Sequence, residues 1–129
     1  MKILSPRIHG FIDYAIVALL VLAPTLFGFG GGAATLCYVA AVAQGGMSLL
    51  TAYPLGVKGV IPFPIHGFIE LAVGVLFVAA PWLFGFADDV AARNFFLVSG
   101  ASVGVVFLLT NYRATERAGD RGVIAHRYG

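Results

Sequence analysis

Polar positions in this chain are few and clustered, and the apolar stretches between them are long. No charged residue occurs from Tyr14 to Val57, from Leu71 to Ala87 or from Asn94 to Tyr112. A helix needs roughly 20 apolar residues to cross the hydrocarbon layer of a bilayer. The first stretch, 44 residues long, holds enough chain for two crossings, and the glycine-rich run from Gly28 to Gly32 breaks it in the middle. The pattern predicts helices at about 8–28, 34–53, 65–85 and 92–111. The expected fold class is an all-α membrane protein with four transmembrane helices.

The pattern also repeats. "IHGFIDYAIVALLVLAPTLFGF" starts at Ile8 and "IHGFIELAVGVLFVAAPWLFGF" at Ile65, an offset of 57 with 14 of 22 positions identical. Further on, "LLTAY" at 49–53 matches "LLTNY" at 108–112, now offset by 59. Two additional residues in the second outer loop account for the change. The chain 1–129 therefore reads as one membrane domain built from two tandem helical hairpins. Repeat 1 covers about 5–57, repeat 2 about 62–112, and a basic tail follows at 113–129. Each hairpin crosses the membrane an even number of times, so the two insert in the same orientation as a parallel repeat. Equivalent residues then lie at equal depth.

Composition supports this class: 60% of residues are hydrophobic and 11% charged, against about 25% charged in soluble domains. Lys2 and Arg7 precede the first apolar run, as in a secretory leader. The near copy of that run at Ile65 argues for a retained span instead. Lys2, Arg7, Lys58, Arg113, Arg117, Arg121 and Arg127 fall on one side of the topology, and Arg93, with Asp88 and Asp89, on the other. The positive-inside rule then places both termini in the cytoplasm, as a multi-pass protein of the cytoplasmic (inner) membrane. Orientation and anionic lipid account for the basic tail, so nucleic acid is not an expected partner. The expected partners are the bilayer, other membrane proteins or a second copy of the chain. Cys37 is the only cysteine, which excludes an internal disulfide and a Cys-x-x-Cys site. It reads as a small packing residue.

Within the spans, Pro24 and Pro81 fall one turn before the predicted ends of the first and third helices. Proline there frees a carbonyl and bends the last turn. Gly28 and Gly85 follow as helix terminators. Phe27, Phe29, Trp82, Phe84 and Phe86 read as an aromatic collar at the outer interface. Pro24, Pro81 and Trp82 thus mark helix kinks and an outer anchor. The pairs Ala41/Gly45 and Gly100/Gly104 have the small-xxx-small spacing that lets helices approach closely in lipid. Gln44 reads as an interhelical hydrogen-bonding residue.

The outer landmark carries a family resemblance. Ala80-Pro81-Trp82 and Ala23-Pro24-Thr25, each followed by "LFGF", resemble the Ser-Pro-Trp signature of the SPW-repeat family of small prokaryotic membrane proteins. A histidine early in the first helix of each hairpin, His9 and His66, is similar as well. The resemblance covers about residues 5–112. Alanine replaces the serine in both copies and threonine replaces the tryptophan in the first, so a chemical role for either residue would be missing here. Proline persists in both, which fits a structural motif. The resemblance implies a four-helix integral membrane protein and implies no enzymatic activity.

The candidate chemistry lies at the other end of the repeat. His9 and Asp13, like His66 and Glu70, are spaced i,i+4 and share a helix face. Ionisable groups inside a bilayer face the bundle interior or water, so both pairs are expected in one polar layer, with Gly10 and Gly67 leaving room beside the histidines. Three roles compete for this layer. The favoured one is structural, a latch of histidine and carboxylate between helices. The second is ligation, with His9 and His66 as weak metal candidates and a haem or a transition metal as the group bound; no cofactor is otherwise expected. The third is proton or cation transport. Apart from Gln44, Thr51, Thr110, Ser99 and Ser102, little in the spans would line a path. Phosphate-loop, dinucleotide and nucleophile motifs are absent, and His126, in the tail, reads as a solvated residue. The expected function is non-catalytic: a scaffold or accessory subunit, with transport or ion binding as the alternative and a haem- or metal-binding redox subunit third.

Overall fold

A computed structural model of the chain describes residues 2–112. The expectations for Arg113, Arg117, Arg121, Arg127 and His126 lie outside the described residues. Four helices follow one another: α1 (Pro6–Phe27), α2 (Gly31–Leu50), α3 (Phe63–Leu83) and α4 (Val90–Leu109). They contain 22, 20, 21 and 20 residues. At about 1.5 Å per residue each is roughly 30 Å long, the thickness of a bilayer core. All four are apolar enough to cross a membrane.

The helices begin two or three residues earlier than the apolar pattern suggests, and in α1 and α4 a side-chain cap accounts for it. Ser5 caps α1, its hydroxyl accepting from the amide of Ile8, and Pro6 opens the helix. Asp89 caps α4 by accepting from the amide of Ala92. These side chains satisfy first-turn amides that have no helical partner. The helices also stop earlier than expected. Thr51 and Thr110 are extended C-cap residues rather than members of the spans. Gly28 ends α1 in the left-handed conformation (φ 71°), and its amide donates to the carbonyl of Pro24. Gly85 (φ 76°) turns the chain after α3.

Helix α1 packs chiefly on α2, and α3 on α4. Across the hairpins, α1 meets α4 and α2 meets α3 less extensively. Two short backbone bridges close one end of the bundle, Leu4 with Thr110 and Ile61 with Thr51. Their hydrogen bonds correspond one for one. Leu4 donates to Leu109 and accepts from Asn111, and Ile61 donates to Leu50 and accepts from Ala52. Leu4 and Ile61 are 57 residues apart, and Thr51 and Thr110 are 59 apart. The segment entering each odd-numbered helix is thus tied to the end of an even-numbered one.

Toward the opposite end, Leu20, Ala23, Phe29, Ala33, Cys37, Phe77, Ala80 and Phe96 form the apolar core. Cys37 is fully buried there as a packing residue. Large apolar side chains such as Phe11, Leu26, Val42, Phe68 and Val98 point outward on the helix surfaces, as lipid contact demands. The aromatic collar divides. Phe27, Trp82 and Phe84 are exposed, whereas Phe29 is in the core and Phe86 packs on Phe96 at 4.9 Å. Residues after the glycine turns fold back inward, which the sequence pattern does not reveal. Pro24 and Pro81 are buried within their helices.

The small-residue pairs divide too. Gly100 lies against Gly74 of α3: a Cβ on Gly100 would stand 2.5 Å from the Gly74 carbonyl oxygen. Ala41 is buried in the core. Gly45 makes only ordinary contact with Val17, and a Cβ on Gly104 would meet nothing within 4 Å. Gly104 is therefore not a close-approach position, and Gly74 takes its expected place.

Candidate functional site

His9 and His66 are each the fourth residue of their helix, and Asp13 and Glu70 stand one turn further on. Helices α1 and α3 turn these faces toward each other. His9, Asp13, His66 and Glu70 are all buried, and one ligand atom from each falls within 4.8 Å of the others.

The contacts alternate around a ring. His9 Nε2 lies 3.2 Å from Asp13 Oδ1 and 3.0 Å from Glu70 Oε2. His66 Nε2 lies 3.1 Å from Asp13 Oδ2 and 3.0 Å from Glu70 Oε1. Each imidazole thus bridges a carboxylate of its own repeat and one of the other. Two ring atoms, Asp13 Oδ1 and His66 Nε2, close no hydrogen bond despite these distances. Short separations without a hydrogen bond mean that the N–H direction is poor at these two atoms.

The other edge of each imidazole is held by a threonine. His9 Nδ1 is 2.8 Å from Thr110 Oγ1, and His66 Nδ1 is 2.6 Å from Thr51 Oγ1. Both hydroxyls donate back to the carbonyl four residues earlier, Thr51 to Met47 and Thr110 to Val106, at 2.6 Å. A hydroxyl has one proton to give. Each threonine oxygen is therefore an acceptor toward its histidine, and each Nδ1 carries hydrogen. The partners cross the duplication, so neither hairpin orients its own histidine.

Around the ring, Gln44 donates to Glu70 Oε1 at 2.7 Å and Tyr53 donates to Asp13 Oδ2 at 2.9 Å. Gln44 is thus the interhelical hydrogen-bonding residue its position suggests. Tyr112, the equivalent of Tyr53, does not copy its bond; its hydroxyl is buried without a hydrogen-bond partner among the described residues. Phe63, Tyr53 and Tyr112 close the side nearer the bridged end, with Phe63 5.1 Å from the His9 ring. Gly10 and Gly67 admit this cover. A Cβ on Gly10 would meet Leu55 at 2.8 Å, and one on Gly67 would meet the Tyr112 ring at 2.5 Å. Burial first, and then the nearby Asp13 carboxylate, raise the Tyr53 phenol above its ordinary value of 10.0. Burial and the Glu70 carboxylate do the same for Tyr112.

On the opposite side of the ring, a cavity of about 270 Å³ extends from Gln44 and Glu70 between the four helices toward Phe27 and Phe95. Its walls are apolar apart from Ser99 and Ser102.

The structure brings all four ring residues named from sequence into one centre. Sequence reasoning missed Thr51 and Thr110 as partners of the histidines, and Tyr53 and Tyr112 as its cover. The repeated Leu-Leu-Thr-x-Tyr was the available signal.

A bundle of four membrane-spanning helices, with a buried histidine–carboxylate ring near one end, defines a multi-pass membrane protein. The SPW repeat domain model matches residues 7–111, and the chain belongs to the SPW repeat family. No curated protein matches, and no solved structure matches.

Proposed function

We propose that this is a non-catalytic protein of the cytoplasmic membrane, with both termini cytoplasmic, in which the ring fastens two hairpins into a rigid unit that serves as a scaffold or accessory subunit. The observation that carries this reading is the crossed bonding. His9 is oriented by Thr110 and His66 by Thr51, and each imidazole contacts both carboxylates. Two imidazolium and two carboxylate groups sum to zero charge, which tolerates burial in lipid far better than an unpaired ion. Removing one member of a buried ion pair costs about 3–5 kcal/mol. Asp13→Asn and Glu70→Gln are therefore expected to lower the unfolding temperature in detergent strongly and to loosen the hairpins. Unchanged melting in both variants would end the latch reading. Co-purification from native membranes identifies the partner; recovery of only the chain itself would point to a homo-oligomer.

A second reading, passage of protons or small cations, is favoured by the cavity above Glu70. Liposome flux that disappears in Asp13→Asn would support it. Its apolar walls leave the ring without a polar continuation among the described residues, and the scaffold reading is preferred on that ground.

A further inference from the structure

We infer that the ring of His9, Asp13, His66 and Glu70 is the binding site of one divalent first-row transition-metal ion. The inference rests on the reading that these residues form a single centre joining the hairpins, and it names what the centre holds.

The donor set points to this class of ion. Two imidazoles and two carboxylates are borderline nitrogen and oxygen ligands, suited to zinc, iron(II), cobalt(II) or manganese(II) rather than to calcium, magnesium or copper(I). Charge balance agrees. Two carboxylates and two neutral imidazoles carry a charge of −2, which one divalent ion cancels in the low-dielectric bundle.

Geometry agrees as well. Four ligands about 2.1 Å from an ion stand about 3.4 Å apart in a tetrahedron and about 3.0 Å apart along the edge of a square. One ligand atom from each of the four residues lies within 4.8 Å of the others, and the nitrogen–oxygen separations of 3.0–3.2 Å around the ring engage both oxygens of each carboxylate. The failure of His66 Nε2 and Asp13 Oδ1 to close hydrogen bonds is explained if both aim at an ion between them.

The threonines supply the outer shell. Metal-binding histidines donate their second ring nitrogen to an oxygen, which fixes the tautomer and turns the free lone pair toward the metal. Thr51 and Thr110 hold Nδ1 as the donor in both rings, leaving both Nε2 atoms facing the centre. A haem does not fit. A porphyrin lying between the two Nε2 atoms would have to pass through the positions of Asp13 and Glu70.

Binding can be written with its protons. Without the ion, the gaps between each Nε2 and its carboxylates need one proton per imidazole. Entry of one divalent ion displaces both, so two protons leave per ion bound.

The test uses the full-length chain in detergent or nanodiscs, stripped with a chelator and titrated with cobalt(II) and zinc(II). Expected are one equivalent per chain by elemental analysis, release of about two protons, and a cobalt ligand-field spectrum of low coordination number that zinc abolishes. Thr51→Ala and Thr110→Ala should retain the stoichiometry and weaken affinity about 10–100-fold. His66→Gln should abolish the cobalt spectrum. A wild-type protein that binds neither ion overturns the proposal without needing any variant to fold. Binding that persists in Asp13→Asn/Glu70→Gln overturns it too. If the wild type binds no metal while Asp13→Asn still loosens the fold, the ion is wrong and the latch stands. If the wild type binds metal and melting is unchanged in Asp13→Asn, the ion stands and the latch falls.

Discussion

Thr110 Oγ1 accepts from Nδ1 of His9, a residue 101 positions earlier in the chain. The equivalent threonine, Thr51, accepts from His66 only 15 positions later. Two sequence separations produce one geometry, because the ring alternates between the repeats.

Each threonine is expected to matter through its oxygen rather than its shape. Thr51→Ala and Thr110→Ala should each cost about 1–3 kcal/mol, the cost of leaving a buried donor unpaired. Thr→Ser at either position retains the acceptor and should recover most of the loss. Unfolding in mixed micelles, with the four variants side by side, measures this. Equal losses in Ala and Ser would point to the methyl group instead.

Two glycines four residues apart on α4 should behave oppositely. Gly100→Ala places a Cβ against the carbonyl of Gly74 and the backbone of Val78. Backbone cannot rotate aside, so a loss of about 1–3 kcal/mol from overpacking is expected. Gly104→Ala meets open space and should be neutral or stabilise by up to about 1 kcal/mol through helix propensity. Thermal melts of the two single variants decide this.

Tyr53 and Tyr112 predict an alkaline limit. Both phenols are raised above 10.0 by burial and a neighbouring carboxylate. Above that pH the unfolded chain has lost protons that the folded chain retains, so stability falls as pH rises. It is fully present below pH 10. Phenolate absorbance should appear together with unfolding, and Tyr53→Phe/Tyr112→Phe should flatten the decline while costing stability at neutral pH.

The orientation expected from charge is testable with single cysteines, since Cys37 is buried and needs only replacement by serine or alanine. Lys58→Cys should react with an impermeant maleimide only after cells are opened, and Asp88→Cys in intact spheroplasts. The reverse pattern would invert the topology.

The spans and the repeat were legible because lipid imposes long uncharged runs, and duplication copies them. Convergence of His9, Asp13, His66 and Glu70 was legible from i,i+4 spacing plus the cost of placing charge in lipid. The crossed threonines were not. Thr51 and Thr110 look like span residues by hydropathy, and only the end of the helix at Leu50 and Leu109 turns their hydroxyls toward the opposite repeat. Gly104 misled for a related reason: small-residue spacing reports that helices can approach, and not which of two glycines faces the neighbour.

The paired bridges at one end of the bundle have a consequence for how such a molecule is put together. Leu4 closes on Thr110 as Ile61 closes on Thr51, so a lone hairpin leaves its entering segment and its histidine unmet. Two separate hairpins placed face to face would meet both needs for each other. In these bridges and in the histidine–threonine bonds the chain is a symmetric dimer whose halves are joined by the residues between Thr51 and Phe63. Severing that join in the interval 56–59 and co-expressing the pieces should still yield one assembled bundle.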